Sequence, residues 1–158
     1  MSTIQVLKTD ALPETTSNQG FKSHLAFKGD GYLVVRARGE PGSISGWHHH
    51  GDYDVYGYLV SGSARFESNT GKEDSVSLRK GDFFHVPHHT VHREINPSST
   101  EENESILFLR GNGPMVFDLE DPDYDSYGFS TRLETTSSSS KLGGSSRRCD
   151  GKYEHQWR

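Results

Sequence analysis

Cysteine, long apolar runs and excess positive charge are all scarce in this sequence. The 158 residues include a single cysteine, Cys149, which excludes an intrachain disulfide framework and fits a reducing compartment. No apolar run approaches the ~20 residues that a membrane-spanning helix needs. The net charge of −5 argues against a broad phosphate-binding face. We therefore expect a cytoplasmic protein that binds neither nucleic acid nor a membrane.

Short apolar runs dominate the middle of the chain. From Phe21 to about Phe129, runs rich in valine, isoleucine, tyrosine and phenylalanine alternate with glycine, proline, asparagine and aspartate. Each run has about 4–8 residues, which is the length of a strand, and no segment keeps a helical apolar period over three turns. The pattern predicts an all-β sandwich or barrel with these strand candidates: G-Y-L-V-V-R-A-R, V-Y-G-Y-L-V, A-R-F-E, S-V-S-L, F-F-H-V-P, V-H-R-E-I, I-L-F-L-R and M-V-F-D-L.

Composition divides the chain into three parts. Residues 1–20 predict an N-terminal arm, residues 21–133 the β domain, and residues 134–158 a flexible tail rich in serine and glycine. The arm carries Ile4, Val6 and Leu7 in a pattern close to period two. Such an arm favours a homodimer in which it adds a strand to the partner's sheet and covers an exposed edge. The alternative is that the arm folds back on its own domain.

The placement of the histidines is the most informative feature. The chain has nine, and seven of them lie between His48 and His92. Because alternate residues of a strand face the same way, His48 and His50 share one face and His49 lies on the other. His92 lies in a separate strand candidate and can supply a third imidazole.

Three imidazole nitrogens with open positions around them are typical of a catalytic metal site, whereas a closed set of four ligands is typical of a structural one. The alternative to a metal site is a chance run of histidines on the surface. The spacing around the run decides between these interpretations.

The first cluster resembles the first sequence motif of the cupin superfamily. That motif has a glycine, five residues, His-x-His, three or four residues, a glutamate, six residues and a glycine. Gly42, His48, His50 and Gly62 stand at these spacings, with Val55 where the family has glutamate.

The second cluster resembles the second cupin motif, which has a glycine, five residues, Pro-x-Gly, two residues, a histidine, three residues and an asparagine. Gly81, Pro87, His92 and Asn96 match it, with His89 in place of the middle glycine. Both motifs occur in the right order, and the strand pattern extends the resemblance over about residues 21–129.

The resemblance implies a small cupin barrel (a double-stranded β-helix, or jelly roll) with a divalent metal ion in its mouth. It implies His48, His50 and His92 as ligands. Val55 cannot bind metal, so the site departs from the family's three-histidine-and-glutamate set. Asp54 is the possible fourth ligand at the shorter spacing. Gly62 fixes a register that favours Val55 facing inward, since a shift of one residue would reverse the face.

Three neutral imidazoles leave the full charge on the ion, and this favours a small anionic chelating substrate. The site resembles the three-histidine cupin dioxygenases, and Fe(II) is the favoured ion, with Ni, Mn, Co, Cu or Zn as alternatives. We therefore expect a dioxygenase-type oxidoreductase. The alternatives are a metal-dependent isomerase or lyase, and a non-catalytic cupin that binds a small molecule.

Four further residues are candidates for the substrate pocket. Val55 is expected beside the metal. Tyr56 would line the pocket unless it packs in the core, and His85 would act near the metal unless it is simply packed. Arg36 would bind a substrate carboxylate unless it belongs to a solvated face.

Overall fold

The computed structural model describes residues 3–68 and 75–119, which form one short helix and eleven strands. No helix in this part is long and apolar enough to cross a membrane. The 3-10 helix is Thr9–Ala11, and the strands are β1 (Glu14–Asn18), β2 (Phe21–Gly29), β3 (Tyr32–Gly39), β4 (His48–His49), β5 (Asp54–Ser61), β6 (Ser63–Ser68), β7 (Ser75–Arg79), β8 (Phe83–Val86), β9 (His92–Ile95), β10 (Asn103–Arg110) and β11 (Phe117–Asp118).

The strands form two antiparallel sheets. The larger sheet has the order β1-β2-β3-β10-β5-β8, and the smaller has the order β11-β4-β9-β6-β7. From β3 to β6, each successive strand lies in the other sheet, and the same is true from β7 to β11. This crossing between facing sheets is the jelly-roll arrangement. The all-β prediction is confirmed, and every strand candidate named from the sequence lies on a strand.

The core lies between the sheets and follows from the two-residue period of the strands. Alternate residues of β3, β5 and β10 are buried: Leu33, Val35, Val55, Leu59, Leu107 and Leu109. A second cluster joins Leu59 of the larger sheet to Ala64 and Leu78 of the smaller one. Phe66 and Phe84 pack against both clusters. One contiguous apolar interior therefore holds the sheets together.

Besides β4, two strands lie where the apolar pattern predicts none. β1 is polar throughout, and it pairs with β2 at the edge of the larger sheet. The register of β2 against β3 shifts between Leu25 and Phe27, which breaks the alternation that identifies a strand. The segment predicted as an arm thus contains a strand, and this strand pairs within its own barrel. The predicted tail, residues 134–158, lies outside the described residues, and the domain boundaries stay predictions.

The buried side chain of Asn96 connects two chain segments by hydrogen bonds. Its Nδ2 donates hydrogen bonds to the carbonyl oxygens of Gly39, Glu40 and Glu101, at 3.1, 3.1 and 2.8 Å. Its Oδ1 accepts one from the backbone N–H of Ser98 at 3.1 Å. Asn96 therefore joins the end of β3 to the connection between β9 and β10.

Asn96→Ala should lower the free energy of unfolding by about 2–3 kcal/mol, because it removes the donor from the buried carbonyl group of Gly39 and from two part-buried carbonyl groups. Urea unfolding followed by circular dichroism measures the loss. The matched control is Asn112→Ala, since Asn112 is exposed and should lose less than about 0.5 kcal/mol. Equal effects of the two substitutions would contradict the role given to Asn96.

Candidate metal centre

Three buried histidines meet inside the barrel. His48 lies on β4 and His92 on β9, and these residues are direct partners across the smaller sheet. His50 follows β4 on the same face as His48. The ring centroids are 4.4 Å apart for His48 and His92 and 5.1 Å apart for each of the other two pairs. The structure thus brings together the three residues that the sequence predicts as metal ligands.

Backbone carbonyl groups hold each of these rings in one orientation. Nδ1 of His48 lies 3.0 Å from the carbonyl oxygen of Gly46, Nδ1 of His50 lies 2.9 Å from that of Met115, and Nδ1 of His92 lies 2.9 Å from that of Thr90. A carbonyl oxygen can only accept, so Nδ1 carries the proton in each ring. Nε2 is then left with a free lone pair, which is the form that binds a metal ion.

The free nitrogens of the three rings lie close together, and one of them has no hydrogen-bond partner. One ring nitrogen from each histidine lies within 4.8 Å of the other two. Nε2 of His92 is buried and has no hydrogen-bond partner among the described residues. An unpaired buried nitrogen is costly unless something binds it. The three residues therefore fit a single metal ion, with histidine nitrogens as its protein ligands.

Burial favours the neutral form of two of the three rings. It lowers the pKa of His50 to about 4 and that of His92 well below its usual value, and the neighbouring His48 ring adds to both shifts. Both rings are thus uncharged at neutral pH, and no proton needs to leave them before a cation binds.

The register at the start of β5 separates Val55 from Asp54. Val55 is buried and packs in the interior cluster with Val35 and Leu109. The Asp54 carboxylate lies on the other face of the strand, where Oδ1 is 3.2 Å from Nε2 of His85. Asp54 is not part of the three-histidine cluster. The inward position that the cupin motif gives to glutamate is therefore apolar.

Three of the residues proposed for the pocket lie outside the barrel. Tyr56 and His85 are partners across β5 and β8, stack on each other at 4.5 Å and are exposed. Arg36 lies on the outer face of β3 and pairs with Glu104 at 2.5 Å. These residues do not line the cavity that contains the histidines. The reason is strand parity, meaning that successive side chains of a strand face opposite sides. Each of these residues is adjacent in sequence to a residue that faces inward: Val35, Val55 or Val86.

A cavity of about 280 Å³ opens beside His48 and His50. Its apolar wall contains Phe21, Val35, Leu107, Leu109, Met115 and Val116. Its polar wall contains Thr16, Ser17, Asn18, Ser23, Ser45, Glu94 and Asp118. Among the described residues that line this cavity, none is lysine or arginine.

Glu94 is a site residue that the sequence reasoning missed. It lies two residues after His92 on β9, pairs with the inward-facing Phe66 and lines the cavity. Burial raises the pKa of its carboxyl group, and the His48 ring partly offsets the rise. The two-residue period of a strand, which predicts that His48 and His50 share a face, also predicts that Glu94 shares a face with His92. The structure thus puts a carboxyl group on the smaller sheet, opposite the strand where the family motif has its glutamate.

A hydrogen bond joins two residues on one side of the cavity. Nδ2 of Asn18 donates to Oδ1 of Asp118 at 2.9 Å, and both residues line the cavity. Asn18 ends β1 in the larger sheet, whereas Asp118 ends β11 in the smaller one. The contact therefore bridges the two sheets.

The metal-free protein should lose stability as the pH falls from about 7 to about 5. An unfolded histidine has a pKa near 6.5, whereas folded His50 and His92 resist protonation. The unfolded chain then binds more protons, so stability rises with pH across this range. Glu94 acts in the opposite sense because folding raises its pKa, so Glu94→Gln should make the loss steeper. Urea midpoints at pH 7.5, 6 and 5 test this, and pH-independent midpoints would contradict it.

The comparisons with known proteins agree with this geometry. A family model described as a cupin domain matches residues 35–108. The comparison with curated protein sequences found no match.

Several solved structures share the fold. One is an uncharacterized conserved protein with a double-stranded beta-helix domain from Klebsiella pneumoniae, with 18% identity, a TM-score of 0.60, and 75% of this chain and 100% of that chain covered. Another is the polyketide cyclase RemF from Streptomyces resistomycificus, with 13% identity, a TM-score of 0.62, and coverage of 76% and 90%. A third is an oxalate oxidase, with 16% identity, a TM-score of 0.59, and coverage of 73% and 63%.

At these identities the structural likeness concerns the fold and not the substrate. The matched family model, the two facing sheets and the three-histidine cluster point to the same conclusion. The described residues have the cupin fold, and the cupin-domain model covers residues 35–108 of the chain.

Proposed function

We propose that this protein binds one divalent metal ion through His48, His50 and His92 and acts on a small molecule as a dioxygenase-type oxidoreductase. The observation that carries the proposal is the convergence of three buried histidine ring nitrogens within 4.8 Å of one another, in a site where Val55 replaces the motif's glutamate. Three protein ligands leave open positions on an ion that takes four to six. Fe(II) remains the favoured ion, and when bound it would supply Lewis-acid and redox chemistry.

The cavity indicates the kind of substrate. The described residues of its lining include no lysine or arginine that could pair with an anionic group. The charge of a small chelating substrate would therefore be matched by the ion, while the carbon skeleton contacts the apolar wall formed by residues such as Leu107, Leu109 and Met115. A volume of about 280 Å³ lies near the lower limit for ligand pockets.

Glu94 gives the cavity a group that can hold or accept a proton. Its carboxyl group lines the same space as His48 and His50, and a carboxyl group in a buried site can hydrogen-bond a substrate hydroxyl in either protonation state. Ser45 stands nearby and orients the β9 backbone, because its Oγ accepts a hydrogen bond from the N–H of Glu94 at 2.8 Å.

Glu94 also favours a second candidate, a metal-dependent isomerase or lyase, because such reactions move a proton and consume no oxygen. One structural relative carries the name polyketide cyclase and another oxalate oxidase, so one fold hosts both kinds of chemistry. A non-catalytic small-molecule-binding role is the third candidate. A cytoplasmic location stays a prediction.

The ligand assignment predicts about one divalent ion per chain. His48→Ala, His50→Ala and His92→Ala should each weaken metal affinity by more than tenfold, since even outer-shell losses have effects of that size. Elemental analysis of untagged protein after dialysis against Fe(II) or Ni(II) measures the content.

Two substitutions serve as matched controls for that measurement. His49→Ala should keep the metal because His49 stacks on Phe117 outside the cluster, and Asp54→Asn should keep it because Asp54 contacts His85 and His88 instead. Full metal retention in His92→Ala would show that the site assignment is wrong.

The dioxygenase proposal predicts oxygen uptake by the Fe(II)-loaded protein with at least one member of a panel of catechols, diketones, hydroxy acids and thiols. Glu94→Gln should lower kcat/KM by about 100-fold, typical of a lost acid–base group, at unchanged metal content. An oxygen electrode and NMR of the products provide the readouts. Metal-dependent turnover without oxygen uptake would favour the isomerase or lyase, and saturable binding without turnover would favour the third candidate.

A further inference from the structure

Glu94 presents a carboxyl group to the cavity that also contains His48 and His50. Its backbone is fixed by Ser45, whose Oγ accepts a hydrogen bond from the Glu94 N–H at 2.8 Å and whose N–H donates to the Glu94 carbonyl oxygen at 2.9 Å. Within the part of the chain that the structure describes, no hydrogen bond or ion pair engages the carboxyl oxygens. The backbone is therefore held in place while the carboxyl group is left for a ligand.

This carboxyl group stands beside the metal site and is not part of it. The ring nitrogens that lie within 4.8 Å of one another belong to His48, His50 and His92, and Glu94 does not join that cluster. The carboxyl group is nevertheless close enough to the His48 ring for their charges to interact. It therefore lies where the remainder of a metal-bound molecule would contact the protein.

The charged residues of the cavity lining are all acidic. They are Glu94 and Asp118, and no described residue of the lining is lysine or arginine. Asp118 already accepts a hydrogen bond from Nδ2 of Asn18 at 2.9 Å. Glu94 is thus the carboxyl group of this cavity that lacks a donor among the described residues.

Arg38 is the nearest candidate for a protein cation, and it is engaged elsewhere. It shares with Glu94 the lining of a small neighbouring cleft of about 20 Å³. Its guanidinium group pairs with Glu102 and lies 3.9 Å from a carboxylate oxygen of Glu104. A cation for Glu94 would therefore come from a ligand.

We propose that the substrate of this site carries an ammonium group, which pairs with Glu94 while a chelating group of the same molecule binds the metal ion. The inference rests on the proposed metal site. It does not depend on whether the reaction is an oxidation, an isomerisation or an elimination. The substrate class is a small amine with a chelating group at its other end.

An ammonium group suits this carboxyl group better than a hydroxyl or an anionic group does. A carboxylate removed from water without a partner is costly, and a hydrogen-bonded cation offsets that cost. An ammonium group has three donors, and the polar wall supplies further acceptors in the hydroxyl groups of Thr16, Ser17 and Ser23. A second carboxylate on the substrate would instead meet a charge of the same sign.

Matched pairs of hydroxamates test the proposal on the Ni(II)-loaded full chain. One member of each pair is an aminoalkanohydroxamate with two, three or four methylene groups, and the other has a methyl group in place of the ammonium group. For at least one chain length, the ammonium member should bind at least tenfold more tightly, as expected for a charge-assisted hydrogen bond. Isothermal titration calorimetry at pH 7.5 measures both affinities.

Glu94→Gln should remove this preference, because glutamine has nearly the same shape and no charge. The methyl members should bind the variant as they bind the unsubstituted chain, and its metal content should be unchanged. Asp118→Asn is the matched control, since it removes the other carboxylate of the lining and should keep the preference.

Three results of the titrations would overturn the proposal. The first is equal binding of the ammonium and methyl members at every length. The second is a preference that survives Glu94→Gln but is lost in Asp118→Asn. The third is equally tight binding of hydroxyalkanohydroxamates of the same lengths, which would show that the site selects a hydrogen-bond donor and not a cation.

A second measurement separates this inference from the proposed metal site. n-Butylammonium and 1-butanol are titrated into the metal-free full chain, and the amide NMR signals of Glu94 and Ser45 report binding. If no hydroxamate binds but a preference for n-butylammonium is lost in Glu94→Gln, the metal assignment is wrong and the cation site stands. If neither series distinguishes the cation from its neutral counterpart, the inference is overturned, whether or not the metal ion binds.

Discussion

The pairing of β4 with β9 is the constraint on which the site depends. It places His48 directly opposite His92, and the two-residue period of a strand then determines what else faces the interior. His50 turns inward two residues after His48, and Glu94 does so two residues after His92. A shift of one residue in either strand would exchange these side chains for His49 or Arg93, which lie outside. The chemistry of the cavity is thus a consequence of sheet register.

Strand parity explains which parts of the site were predictable from the sequence. The spacing of the histidines identifies the three converging rings because the cupin motifs fix two strands at once. The same parity explains why the pocket candidates Tyr56, His85 and Arg36 lie outside the barrel, since each adjoins an inward residue and must face outward. Glu94 was missed because the motif directs attention to position 55 for a carboxylate. β1 was missed because an edge strand with polar residues has no apolar alternation to detect.

The interior combines two environments within a small barrel. Val35, Leu107 and Leu109 belong to the apolar core and also form the wall of the cavity. The imidazole rings beside them are buried, and each donates a hydrogen bond from Nδ1 to a backbone carbonyl oxygen. Buried polar groups are tolerated when they are hydrogen-bonded and costly when they are not. The barrel therefore tolerates the desolvation of Nε2 only at the point where a ligand can bind it.

The hydrogen bond between Asn18 and Asp118 has a consequence for how fast a small molecule would enter or leave the cavity. β1 is a polar edge strand and β11 has two residues, so few buried contacts hold either one, and such segments open at a much lower free energy than the core. A small molecule that left the cavity on this side would do so by local separation of these two strands, while both apolar clusters stay packed. The residence time of a ligand would then be governed by the rate of this local opening and would be insensitive to the global stability of the barrel.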